Sequence, residues 1–433
     1  MFQKTKKIAT NFSSTVSTGL STNLTSAFFI NQKITLQDVT LARKYISNYW
    51  AKLERYHPKD DDNLIGLPYP YLVPSYEKGH EFDFNELYYW DSYFMIQGIL
   101  DQDHKQLVIG ILEDIVALYK RFKIVPNASR TYLTGRSQPP LMTSFIFDIY
   151  EAYSLDIDWL VQMMAVAEDE YNTVWMGVSK PNIRRVYHGL SRYYDTNYIH
   201  DLAEAESGWD MTTRFNHKCL DYLPIDLNSL LYKYEMDFAK FYKIIKQKKT
   251  ASQWELSAVH RKKEINNLMW SSLKGMYYDY NYIKEKRSSV GSLATYIPLW
   301  AGLVDGEQAK LLVKSLRKFE QKGGLSTTET QQLTKYVPGN MPTQWAYPNG
   351  WAPLHFLVVS GLKRYGYYED ARRIAMKWLK TNLDWFEING VFLEKYNVVS
   401  PNKPPMKGLY PSQTGFGWTN AIFERFCQEF IDQ

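Results

Sequence analysis

The sequence has 433 residues, with 51 Lys and Arg against 46 Asp and Glu, a formal net charge of +5, and 45% hydrophobic residues. That balance excludes a mostly disordered chain, and the length is enough to bury a large core without covalent staples. Cys219 and Cys427 are the only cysteines, which excludes a disulfide framework and a cysteine-rich metal site.

Residues 1–36 form a Ser/Thr-rich arm that contains no Asp or Glu and carries Lys4, Lys6, Lys7 and Lys33. Its apolar residues Ile8, Phe12, Val16, Leu20, Leu24 and Phe28 are spread mostly singly, at four-residue intervals, unlike the compact apolar stretch of a signal peptide. The spacing suits a sticky helix or an arm docked on the body of the protein, and placement in the cytoplasm is the expectation. No run of about 18 or more apolar residues exists, so no membrane span is expected.

From residue 37 to residue 433 the pattern is helical, segment after segment. Apolar residues recur at three- and four-residue intervals in Gln37–Leu53, Asp91–Leu100, Gln106–Phe122, Leu141–Tyr153 and Asp156–Thr173. The same holds for Leu227–Lys246, Ala251–Leu273, Gly306–Lys318, Ala352–Tyr365 and Tyr368–Leu383, several of which end near Gly or Pro. Strand signals are scarce, Met276–Tyr280 being the best. The chain is therefore expected to be all-α, a large α-barrel or solenoid, and the absence of a strict short repeat argues against a regular solenoid.

The aromatic residues, 16% of the chain with 34 Tyr, 21 Phe and 13 Trp, concentrate in the loops between these helices. Tyr88–Asp91, Glu206–Asp210, Pro348–Pro353 and Gly415–Asn420 each place Trp beside Gly or a carboxylate, and Arg136–Pro140 supplies an arginine. Flat rings with charged acceptors and donors suit a sugar. A nucleic-acid partner is not expected: the net charge is thin, and Lys246–Lys249 and Arg261–Lys263 look like solvated helix faces. The eight histidines include no His-x-x-x-His pair, and there is no Gly-x-Ser-x-Gly elbow or phosphate-binding loop. Carboxylate chemistry or pure binding remains.

Glycoside hydrolysis needs an acid and a base or nucleophile on opposite sides of the scissile bond. Asp210 follows Gly208 and Trp209, an apolar setting for an acid, although spacing alone favours a helix N-cap ahead of Thr212 and Thr213. Glu394, in Val391–Tyr396, reads by itself as half of a surface ion pair with a neighbouring lysine. Asp91 is either a hydroxyl ligand or a cap, Glu86 either pocket lining or solvated charge, and Arg136 beside Gln138 either a hydroxyl donor or a loop fastener. Trp345 and Trp351 are stacking platforms or core.

Taken in order, these segments resemble the α,α-trehalase family of glycoside hydrolases. The resemblance rests on Phe84-x-Glu86-x-Tyr88-Tyr89-Trp90-Asp91-Ser92-Tyr93, Pro126-Asn127-x-x-Arg130 and Arg136-Ser137-Gln138-Pro139-Pro140. It continues through Ser207-Gly208-Trp209-Asp210, Pro224-x-Asp226-Leu227-Asn228 and Gln344-Trp345-x-x-Pro348-Asn349-Gly350-Trp351-Ala352-Pro353, and ends with Glu394-Lys395-Tyr396 and Gly415–Asn420. It implies an (α/α)6 barrel and inverting hydrolysis of an α-glucosidic bond, α,α-trehalose to two glucose molecules, without metal or organic cofactor. By motif position Asp210 resembles the general acid and Glu394 the general base, carboxyls that an inverting mechanism separates by about 6.5–9.5 Å. Phe84, Trp90, Asp91, Asn127, Arg136, Gln138 and Trp345 fall on positions resembling the family's sugar-pocket lining, and Arg192 on a looser match. A different α-linked glucoside, or sugar binding without turnover, stays open as an alternative.

The sequence also departs from the family pattern. Asp83 stands where the family usually has Arg, Ala346 and Asn397 where it has Asp, and Leu409 where it has Glu. The family's Arg-Pro-Glu segment is missing between Asp195 and Glu206, and Ser400–Pro405 replaces a glycine-rich loop. Each charge lost beside a sugar leaves hydroxyl recognition weaker by about 1–3 kcal/mol where a buried group goes unpaired.

Overall fold

The computed structural model describes residues 34–76, 84–330, 343–408 and 412–432. Most of the N-terminal arm, together with Asp83 and Leu409, lies outside the described residues. Among those described, thirteen α-helices follow one another: α1 (Leu36–Leu53), α2 (Tyr89–Ile96), α3 (Lys105–Phe122), α4 (Met142–Tyr153), α5 (Ile157–Glu170), α6 (His200–Ala205) and α7 (Ile225–Ile244). The rest are α8 (Lys248–Met269), α9 (Ile297–Ala301), α10 (Gly306–Ser315), α11 (Ala352–Arg364), α12 (Tyr368–Asn389) and α13 (Gly417–Phe430).

Two kinds of helix alternate along the chain. In α1 only one stripe, Val39, Ala42, Ile46, Tyr49, Trp50 and Leu53, is buried, and its start is fixed by a capping box between Thr35 and Asp38. α12 is built likewise, burying Ala371, Ile374, Ala375, Trp378 and Leu379 and closing on Gly390 in the left-handed region. By contrast, all eight residues of α2 and all five of α9 are buried. A helix apolar or satisfied on every side belongs inside a layer, one with a single stripe outside it.

Accordingly α2, α4, α7, α9, α11 and α13 make an inner ring, and α1, α3, α5, α8, α10 and α12 wrap it, with α6 inserted in a loop. Packing runs from α4 to α7, α9, α11, α13 and back to α2. The Tyr93–Phe145 ring contact and the Leu141 amide bonded to the Tyr89 hydroxyl join α2 to α4 and close the ring. This is an (α/α)6 barrel. Its strands are two- or three-residue ribbons in the connecting loops. The expected strand over Met276–Tyr280 divides into Met276–Tyr277, paired with Trp270–Ser271, and Tyr280–Asn281, paired with Tyr222–Leu223.

Candidate active site

At the end of the barrel where α2 and α13 begin, the loops enclose a cavity of about 420 Å³, within the usual range for small-molecule sites. Phe84, Trp90, Asp91, Asn127, Arg136, Gln138, Asp210, Trp345 and Glu394 all line it, so nine of the ten residues singled out from sequence meet in one place.

Asp91 sits in the first turn of α2, and the Trp90 amide donates to Gln138 Oε1 at 2.7 Å, which fastens the Arg136–Pro140 loop to the helix start. Asn127 donates through Nδ2 to the carbonyls of Ser137 (3.2 Å) and Ala205 (3.4 Å). Arg136 is neither a loop-carbonyl fastener nor unpaired: its Nη1 meets Asp195 Oδ2 at 3.1 Å, and the Asp195 carboxylate is held in turn by Asn197. The Nε of Arg136 and the indole Nε1 of Trp90, both buried, have no hydrogen-bond partner among the described residues.

No helix starts at Asp210, which overturns the N-cap expectation. The segment is instead tied down from outside: Gln344 Nε2 donates to the Asp210 carbonyl at 2.8 Å and the Trp345 amide to the Met211 carbonyl at 3.0 Å. Gly208 has φ +73, and a Cβ there would lie 3.3 Å from the Trp90 ring. Only glycine lets this backbone close over that indole.

Glu394 is buried, not at the surface. Its amide donates to the Gln413 carbonyl, and its own carbonyl accepts from Trp418 Nε1 at 3.0 Å. The lysine expected nearby is Lys395, whose Nζ lies 2.6 Å from Glu394 Oε2, with both side chains essentially inaccessible to solvent. Lys395 also opens the short strand Lys395–Asn397, paired antiparallel with Asn349–Trp351 so that Trp351 faces Lys395.

Three carboxyl groups thus share the floor of the cavity. Burial, reinforced by the charge of Glu394, pushes Asp210 up to about 7, against its own backbone amide, Arg136 and Lys395. Burial, with Asp210 and then Glu394 as like charges, drives Asp91 well above the usual carboxylate range. A carboxyl that holds its proton up to about neutral pH, beside one paired with an ammonium, is chemically suited to donate a proton while its neighbour accepts one.

Arg192 is the exception. It does not line the cavity; its guanidinium is used on the carbonyls of Ile183 (3.0 Å) and Leu220 (3.0 Å) and the Tyr282 hydroxyl (2.8 Å), so it is a fastener of loops. Several lining residues were not singled out as site residues: Glu86, Tyr88, Arg130, Tyr132, Gln413, Phe416 and Trp418. Arg130 and Glu86 form an ion pair at 3.0 Å in the wall. Their signal lay in the motif that also holds Trp90 and in Pro126–Arg130. Glu206, outside the cavity, accepts from the Ser137 and Tyr194 amides and pairs with Arg184, which knits three loops together.

The departures described are mild in structure. Asn397 Oδ1 accepts from the Val399 and Ser400 amides, a task that needs one acceptor oxygen and no charge. Ala346 is buried.

The barrel and this cup define an (α/α)6 protein with paired carboxyls in an aromatic pocket. The trehalase family model matches residues 3–201 and 194–430, and the chain belongs to that family. The cytosolic neutral trehalase of Kluyveromyces lactis is 32% identical over 427 residues, covering 82% of this chain and 56% of that protein. The cytosolic neutral trehalase of Saccharomyces cerevisiae is 31% identical over 447 residues, covering 86% and 58%. The chain therefore spans less than two thirds of the length of these relatives. The solved neutral trehalase Nth1 from Saccharomyces cerevisiae superposes with a TM-score of 0.72 at 30% identity, over 87% of this chain and 76% of that one. A mannosylglycerate hydrolase from Thermus thermophilus, at 16% identity and a TM-score of 0.63 over 88% and 99% of the two chains, shares the fold.

Proposed function

We propose that the chain is an inverting glycoside hydrolase that converts α,α-trehalose to two glucose molecules. The observation that carries this reading is the pairing of Asp210, half-buried and pushed up to about 7, with Glu394, tied to Lys395, in one aromatic cavity. In the mechanism Asp210 gives its proton to the glycosidic oxygen as that bond to the anomeric carbon breaks. Glu394 takes a proton from a water that attacks the same carbon from the opposite face. One glucose leaves with its original anomeric configuration and the attacked one is inverted. Asp91, Asn127, Gln138, Arg136 and the indole of Trp90 supply hydroxyl partners and an apolar face in this reading, and no metal or organic cofactor takes part.

Support comes from the family match and from the relatives named as neutral trehalases. Those named cytosolic also favour the cytosol for this chain, with residues 37–433 as the hydrolase unit and residues 1–36 as an appended arm. The test is proton NMR of purified protein with trehalose, then with other α-linked glucose disaccharides. Early α- and β-glucose in equal amounts is the expected result. Cleavage of another disaccharide alone would reassign the substrate, and trehalose bound without cleavage would overturn the hydrolase reading.

A further inference from the structure

Lys395 is wholly buried, and its Nζ lies 2.6 Å from Glu394 Oε2 and over the face of the Trp351 ring, 5.0 Å from the centroid. Trp351 is the end of a column. It stacks on Trp345 with centroids 3.7 Å apart, Trp345 stacks on Trp209 at 5.6 Å, and the guanidinium of Arg214 lies 4.4 Å over Trp209. Arg214 is itself clamped by Asp226 and Asp279. Two cations therefore close the ends of a three-indole stack, and an ammonium so placed has no path to solvent.

We propose, on the footing of the hydrolase reading, that Lys395 is a positioning residue that holds Glu394 as an ionised base and fixes where it sits. Charged groups near Glu394 among the described residues include Asp91 on α2, Asp210 on its loop and Lys395 on its own strand, with Arg136 beyond Asp210. Two of these are carboxyls, and the Lys395 ammonium is a cation in direct contact with Glu394 Oε2. It acts through Glu394 and touches no reacting atom.

The test compares the pH dependence of trehalose cleavage in Lys395→Met, Lys395→Gln and Lys395→Arg, each confirmed as folded by a cooperative melt. Loss of the charge should move the acidic limb of kcat upward by about one pH unit or more, so that well below the midpoint of the limb the rate falls about tenfold relative to each enzyme's own optimum. Lys395→Arg should restore the limb even where it lowers kcat through altered packing. A limb left in place by Lys395→Met or, if that variant does not fold, by Lys395→Gln would overturn the inference, as would an equal shift from Arg and Met. No cleavage by the unsubstituted enzyme would overturn the hydrolase reading and this inference with it. Cleavage that Asp210→Asn abolishes, with an unmoved limb in Lys395→Met, would overturn this inference alone.

Discussion

Trp345 lies flat against Trp351, ring centroids 3.7 Å apart and planes 2° from parallel. The first is anchored by its amide to the Met211 carbonyl, one residue past Asp210, and the second faces Lys395, one residue past Glu394. The two proposed reacting carboxyls are thus carried on segments joined through this pair of rings. Trp345→Ala should remove the joint at about 3–5 kcal/mol of stability, and lower kcat for trehalose cleavage more than it raises KM. Urea unfolding and steady-state kinetics check the two halves.

Asp210→Asn and Glu394→Gln should each lower kcat by about 10²–10⁴-fold while trehalose still binds with a Kd close to that of the unsubstituted chain. Calorimetric titration beside glucose release separates the effects. Loss of binding in step with activity would mean that these groups hold the sugar and do not transfer protons.

The acid must keep its proton to act, and Asp210 titrates at about 7. Activity should therefore fall as pH rises through neutrality, leaving the optimum on the acid side. A kcat/KM profile from pH 4 to 9 checks this, and a rate still climbing above pH 8 would contradict it.

Arg136 and Arg192 separate by position. Arg136→Met should cut kcat/KM for trehalose, since Arg136 lines the cavity with an unpartnered donor. Arg192→Met should leave kcat/KM in place and lower Tm, because it strips donors from the Leu220 and Ile183 carbonyls at about 1–3 kcal/mol.

His355 offers a stability test at a residue that does not line the cavity. Its Nδ1 donates to the Trp351 carbonyl and its Nε2 accepts from the Leu325 amide, a pairing that only the neutral ring makes. Burial lowers its pKa to about 4. Because the unfolded chain takes up the proton near 6.5, stability from this group is complete above that pH and is lost as pH falls toward 4, about 3 kcal/mol in all. In His355→Gln the melting temperature should depend less on pH across that window.

The outer helices were legible because each has one buried stripe: α1, α3 and α12 fall within a few residues of their expected spans. α9 and α13 escaped for other reasons: Ile297–Ala301 is only five residues long and apolar throughout, and Gly417–Phe430 opens inside Gly415–Asn420, which reads from sequence as a loop. In the site, type and motif order found the floor, Asp91, Asp210 and Glu394. They missed the Arg130–Glu86 pair and the Arg192 fastening, since which carboxylate or carbonyl a guanidinium reaches is decided by loops far apart in sequence.

Every side chain of α2 is enclosed, so the length of this helix is fixed. One residue gained or lost before Asp91 would swing it through about 100° and slide it about 1.5 Å along the axis, out of the cup and into a neighbouring helix. On α8, Leu256 and Val259 face solvent at 69% and 63% exposure, and such positions are free to drift. Lineages of this barrel should therefore vary in the length and surface of the outer helices and in the loops, while the eight residues from Tyr89 to Ile96 admit substitution but no insertion.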